Sequence, residues 1–126
     1  MSKKRINTEH APAAIGPYSQ AIATGNFLFT SGQLPIDPAT GKLSTGPIEE
    51  QAQTVFRNLQ AIAEAGGTNL GKAVKVTVFL ADINNFQAVN SVYAEYFKEP
   101  FPARSAFQVA ALPLGADLEI EAVFEL

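Results

Sequence analysis

Residues 101–126, FPARSAFQVAALPLGADLEIEAVFEL, hold the side chains best suited to chemistry: one arginine, Arg104, and the glutamates Glu119, Glu121 and Glu125. A guanidinium offers a planar fork of donors to a carboxylate or phosphate, and a positioned glutamate can take up and return a proton. Strand alternation gathers Glu119, Glu121 and Glu125 on one face, opposite Leu118, Ile120, Ala122 and Phe124. In the preceding stretch Arg104, Ala106, Gln108 and Ala110 share a face opposite Ser105, Phe107 and Val109. If the two strands formed a hairpin around Leu114, Arg104 and Glu119 would lie about five residues, roughly 16 Å, apart and make no salt bridge. The charges are then either ordinary solvated faces or the lining of a space, between strands or subunits, that admits a small anion.

Three other places invite the same weighing. Tyr18 follows the rigid lead-in IGP, which fixes where its phenol points; taken alone it reads as an aromatic at the edge of the core. Ser31 and Gly32, in TSGQ, end a strand where main-chain N–H groups can meet an anion, although Ser-Gly is also a common terminator. Asn90 stands four residues after Phe86 and three before Tyr93, on or beside the apolar stripe of its helix, where an asparagine ordinarily satisfies nearby backbone.

Composition narrows the options. With no cysteine there are no thiolate nucleophiles, disulfides or Cys-ligated metals, and a lone histidine, His10, cannot build a His-rich metal site. A net charge of −3, with no basic run beyond Lys3-Lys4-Arg5, argues against a nucleic-acid footprint. No apolar run approaches the roughly 18 residues of a membrane helix, and the basic start leads into no apolar signal segment, so a cytoplasmic protein is expected. At 126 residues and 47% hydrophobic content, residues 1–126 are expected to form a single folded domain.

Positioning these residues falls to an order β-β-α-β-α-β-β. Gly25-Asn26 suits the turn of a hairpin joining Ser19–Thr24 to Phe27–Ser31. Pro47 opens a helix that Gly66-Gly67 closes, with Ile48, Ala52, Val55, Phe56, Leu59, Ile62 and Ala63 as its apolar stripe. KAVKVTVFL reads as a strand with Val74, Val76, Val78 and Leu80 on one face and Ala73, Thr77 and Phe79 on the other. Asp82 then caps a second helix, bearing Phe86, Val89, Tyr93, Tyr96 and Phe97, which Pro100 and Pro102 stop. Strands at 104–110 and 118–124 finish an α+β mixed sheet with both helices on one face. Strands apolar on both faces leave the second face in need of a cover, which a symmetric homo-oligomer would supply.

The chain resembles the RidA (YjgF) family of enamine/imine deaminases along nearly its full length. The likeness rests on APAAIGPYSQAI, FTSGQLPIDPATG, VKVTVFLADINNF, VNSVYAEYF and above all PARSAFQVAALPLGADLEIEA. It implies a chorismate-mutase-like fold with the final strand inserted in mid-sheet, and a homotrimer with sites between subunits, which would replace the hairpin picture of the last two strands. It further implies hydrolysis of 2-imino acids, such as 2-iminobutanoate and 2-iminopropanoate, to 2-oxo acids and ammonia, with no cofactor and no metal. Arg104 would hold the substrate carboxylate and Glu119 would orient water and move protons, while Tyr18, Ser31, Gly32 and Asn90 would complete the cleft. Ala106 occupies a position where relatives often carry cysteine, so contacts there would be main-chain ones. The resemblance also admits a small-carboxylate-binding regulator and a single-strand-selective ribonuclease.

Overall fold

The computed structural model describes residues 2–126. Six strands form one mixed sheet: β1 (Lys4–Ile6), β2 (Ala21–Thr24), β3 (Phe27–Thr30), β4 (Ala73–Leu80), β5 (Ala103–Gln108) and β6 (Leu118–Glu125). Their spatial order is β1-β2-β3-β6-β4-β5. Two helices, α1 (Ile48–Ala65) and α2 (Phe86–Tyr96), lead into and out of β4.

The β2–β3 hairpin turns at Gly25, whose φ of 56° a residue with a Cβ would resist. In α1 the apolar stripe expected from the 3.6-residue period is buried from Ala52 to Ala63, and it ends where Gly67 takes a φ of 85°. Asp82 caps as expected, accepting a hydrogen bond from Asn84 N at 2.9 Å. It caps a short turn at Ile83–Asn85, however, and α2 begins only at Phe86. The three-residue strand β1 escapes periodicity altogether; pairing with β2 is what makes it a strand.

Two expectations are corrected. The last two strands are not a hairpin: β6 lies between β3 and β4, antiparallel to both, while β5 pairs in parallel with the other edge of β4. A strand whose core face is Leu118, Ile120, Ala122 and Phe124, all nearly inaccessible, gains most from a central position with helices over it. The alternation read along KAVKVTVFL also breaks at its start. A register shift between Ala73 and Lys75 bulges the strand, so Ala73 is buried and Val74 is 40% exposed.

Beyond the bulge, Val76, Val78 and Leu80 join β6 and the helices in the core. The opposite face of the sheet carries Thr77 and Phe79 of β4, Phe107 of β5, Val123 of β6 and Phe27 and Phe29 of β3. Phe79 and Phe107 meet edge to face at 5.3 Å. Phe27, Phe29 and Phe107 are each more than 40% exposed, so none of the described residues seals that face. Among the described residues, no helix is long and apolar enough to cross a membrane.

Candidate functional site

Arg104 enters the site through β5. It pairs with Val76 of β4, a core residue, so its side chain leaves the sheet on the helix side and meets α2. There Nη1 donates to Asn90 Oδ1 at 2.6 Å. The guanidinium lies over two rings, 5.0 Å from the centroid of Phe86 and 4.7 Å from that of Tyr93. Both distances are within cation–π range. Phe86, Asn90 and Tyr93 follow the i, i+4, i+7 spacing of one helix face, so a single stripe of α2 holds the arginine. Asn90 is exposed and its partner is this guanidinium, which corrects the expectation that it satisfies backbone. Phe86 and Tyr93 read as core in the sequence; their spacing around Asn90 was the available signal for this second role. Burial raises the pKa of the Tyr93 phenol, and Arg104 nearby partly offsets that rise. Arg104, Asn90, Tyr93, Ala94, Phe101 and Pro102 line a cavity of about 370 Å³. Ala106 shares the face of Arg104, half-buried against the core.

Glu119 leaves the sheet on the other side. It pairs with Phe79 of β4, on the face away from the helices. Its carboxyl group lies against Gly32, where an added Cβ would sit only 2.6 Å from Glu119 Cδ and 2.9 Å from Oε2. A side chain at 32 would push this carboxyl group aside, so the glycine here serves the close approach and not a left-handed backbone angle. Gln33 holds the segment to β6 through a reciprocal pair of main-chain bonds with Ile120, at 2.8 and 3.1 Å. Ser31 is tied down in the same way: its N–H donates to Gln20 O and its hydroxyl to Ser19 O. Both of its donors are therefore committed within the chain, and Ser31 acts by fixing the strand end that carries Gly32.

Burial raises the pKa of Glu119, and the neighbouring Glu121 pushes it the same way. Glu121 itself is exposed, so Glu119 and Glu121, equivalent in the sequence pattern, differ in solvation. Gly32→Ala is expected to leave the sheet folded while displacing the Glu119 carboxyl group towards water. The check is a carboxyl NMR titration, in which the Glu119 midpoint should move down towards that of an exposed glutamate.

Tyr18 completes this second group. Gly16, at φ 114°, turns the chain so that Tyr18 N donates to Gly16 O, and the phenol oxygen accepts from Ile15 N at 3.3 Å. Tyr18 and Gly32 border one cavity of about 320 Å³.

The residues named from the sequence thus fall into two clusters, Arg104 with Asn90 and Ala106, and Tyr18 with Ser31, Gly32 and Glu119. Along β4 their anchors, Val76 and Phe79, are three residues apart, roughly 10 Å, and β5 and β6 are two strand spacings apart, about 10 Å more. The two charged side chains also project from opposite faces. No molecule of a few atoms can touch both within one chain. Taken together, the clusters can bind a carboxylate at one and exchange protons at the other.

Comparison with known proteins gives this arrangement its relatives. The family model described as Endoribonuclease L-PSP matches residues 8–125. The RutC family protein y4sK of Sinorhizobium fredii is 55% identical over 121 residues, covering 96% of each chain. A 2-iminobutanoate/2-iminopropanoate deaminase of Capra hircus is 51% identical over 121 residues, covering 96% of this chain and 88% of the relative. The solved structure of YyfA, a Rid-family protein of unknown function from Yersinia pestis, superimposes with a TM-score of 0.97 at 48% identity, covering 99% of this chain and 100% of that one. With a family model matching residues 8–125 and relatives at about half identity over nearly the whole chain, the chain belongs to the endoribonuclease L-PSP family, also called RidA or YjgF.

Proposed function

We propose that the protein is a homotrimeric deaminase that hydrolyses 2-imino acids, 2-iminobutanoate and 2-iminopropanoate among them, in clefts between subunits. The observation that carries this reading is the division of the site. One chain offers a preorganised arginine on one face and a partly desolvated glutamate on the other, and a neighbouring copy brings the complementary cluster to each. The exposed aromatic face supports the same arrangement, since a contiguous apolar patch of this kind normally marks an interface. The deaminase name of a relative at 51% identity supports the chemistry.

In the assembled cleft Arg104 of one subunit grips the substrate carboxylate with the donors that Asn90 leaves unused. Glu119 of the neighbour takes a proton from water as the oxygen attacks the imine carbon, and passes it to nitrogen. The carbon–oxygen bond forms as the C=N pair moves to nitrogen, giving a carbinolamine. A second transfer through Glu119 protonates the amine and deprotonates the hydroxyl, and ammonia leaves as the 2-oxo acid forms. The imine carbon is already electrophilic, so protein groups alone suffice. Tyr18 borders the reacting atoms, Gly32 admits the carboxyl group, Ser31 fixes Gly32, and the main chain at Ala106 adjoins the carboxylate grip.

A coupled assay tests this: a threonine dehydratase generates 2-iminobutanoate, and added protein should speed its conversion to 2-oxobutanoate and ammonia. Light scattering in the same buffer should give a trimer mass at micromolar concentration; a stable monomer would remove the intersubunit site. The name of the family model keeps a ribonuclease reading in view. Cleavage of single-stranded RNA by the purified protein, lost in Glu119→Gln, with no effect on the imine, would favour it.

A further inference from the structure

A third cavity, of about 360 Å³, lies alongside α1 and shares no lining residue with the cavities of the two clusters. The segment ahead of β2 brings His10 to it, the loop after β3 brings Asp37, and α1 brings Thr54, Arg57 and Asn58. Buried amides fix these walls. Asn58, 2% exposed, donates from Nδ2 to Ile36 O at 2.9 Å and so ties the loop to α1. Gln20, also 2% exposed, accepts from Thr8 N and donates to the main-chain oxygens of Thr8, Ala11 and Pro12, which sets the segment that carries His10. The loop also closes on itself: Asp37 N donates to Lys42 O, Gly41 N donates to Asp37 O, and Asp37 Oδ1 accepts from Ala39 N at 2.8 Å. Side chains carried on backbone held in this way need little ordering to receive a ligand.

Arg57 and Asp37 are exposed, opposite in sign and border the same space, yet among the described residues neither belongs to an ion pair. An anion there would satisfy Arg57 but meet the Asp37 carboxylate, and a cation would do the reverse. A molecule carrying both charges a few bonds apart satisfies both. The Thr54 hydroxyl donates to Glu50 O at 3.2 Å, so towards a ligand it is an acceptor, suited to an ammonium group. We infer that this cavity is a site for a free α-amino acid, bound as its zwitterion with the carboxylate on Arg57 and the ammonium on Asp37 and Thr54. His10 and Asn58 make the rest of the wall polar, which suits a polar side chain. The cavity is within the size range of small-molecule sites. The inference stands apart from the deaminase reading, since it uses no residue of either cluster.

The test follows His10, the single histidine of the sequence, whose ring protons report from the wall of the cavity. L-glutamine is titrated into the full-length protein, and the His10 ring signals in the proton NMR spectrum should shift and saturate at about millimolar concentration. N-acetyl-L-glutamine, which lacks the ammonium, and L-glutaminamide, which lacks the carboxylate, should each bind at least about 10-fold more weakly, the scale of a lost charge-assisted hydrogen bond. Arg57→Gln and Asp37→Asn should each weaken L-glutamine by a similar factor. Both positions are exposed, and an asparagine at 37 can still accept from Ala39 N, so the circular dichroism spectrum should not change. A His10 response that never saturates would overturn the inference. Equal binding of L-glutamine and N-acetyl-L-glutamine would overturn it too, because the site would then take a simple anion. So would an unchanged affinity in both variants, and so would loss of the His10 response in Arg104→Lys, which would place the ligand in the other cluster.

Discussion

Glu119→Gln is expected to lower imine hydrolysis by about 10²-fold or more, the scale of a positioned acid–base group, while Glu121→Gln changes it far less. The amide keeps the shape against Gly32 but can no longer take a proton from water. The two glutamates share a strand face, but Glu121 is exposed whereas Glu119 is half-buried, and that burial is the chief cause that raises the Glu119 pKa. A raised pKa places the fall in kcat/KM on the acid side above the ordinary glutamate range, and Glu119→Gln should abolish that limb. Stability follows the same linkage. The folded state holds the Glu119 proton to higher pH than the unfolded chain, so this group's contribution to stability is lost as pH rises through the folded pKa. Glu119→Gln should therefore flatten the pH dependence of the urea midpoint above the unfolded glutamate pKa, leaving the variant at least as stable as the wild type at neutral pH. A variant with low activity but retained carboxylate binding and an intact trimer fits the catalytic role. Equal, small losses at both glutamates would leave a binding module anchored on Arg104.

Arg104→Lys is expected to reduce kcat/KM by about 10- to 100-fold, from the loss of charge-assisted bonds that a lysine cannot make in parallel. The loss has two sources. A point charge replaces the planar fork, and the stack over Phe86 and Tyr93 together with the 2.6 Å bond to Asn90 disappears, so the remaining charge is no longer held in one direction. Arg104 is exposed, so the fold should survive. Circular dichroism and light scattering beside the kinetics make the check: unfolding of Arg104→Lys would make the arginine a packing residue and remove it from the site.

Local pattern carried much of this molecule into view. The α1 stripe from Ala52 to Ala63, the Gly25 turn and the alternation of β6 all depend on neighbours within a few residues, and each is present at the expected place, while Asp82 caps the short turn ahead of α2 and not α2 itself. The apolar character of the second sheet face was legible for the same reason, because strand alternation alone assigns side chains to faces. Residue types at Arg104 and Glu119 also declared which chemistry was available, since the sequence has no cysteine and one histidine.

Strand pairing was another matter. Read from the residues alone, β5 and β6 looked like a hairpin; only the family resemblance implied the central place of β6, because inter-strand hydrogen bonds join main-chain groups that every residue type carries. Which partner wins depends on the total apolar surface buried by the whole sheet. The bulge that turns Val74 outward and buries Ala73 shares that origin. So do the close approach of the Glu119 carboxyl group on β6 to Gly32, and the change of Asn90 from a backbone partner to an arginine's support. Each is a contact between segments far apart in the chain, where sequence spacing carries no distance information. Tertiary packing alone decided that Arg104 and Glu119 leave opposite faces of one sheet, because β4, between their two strands, fixes both registers at once.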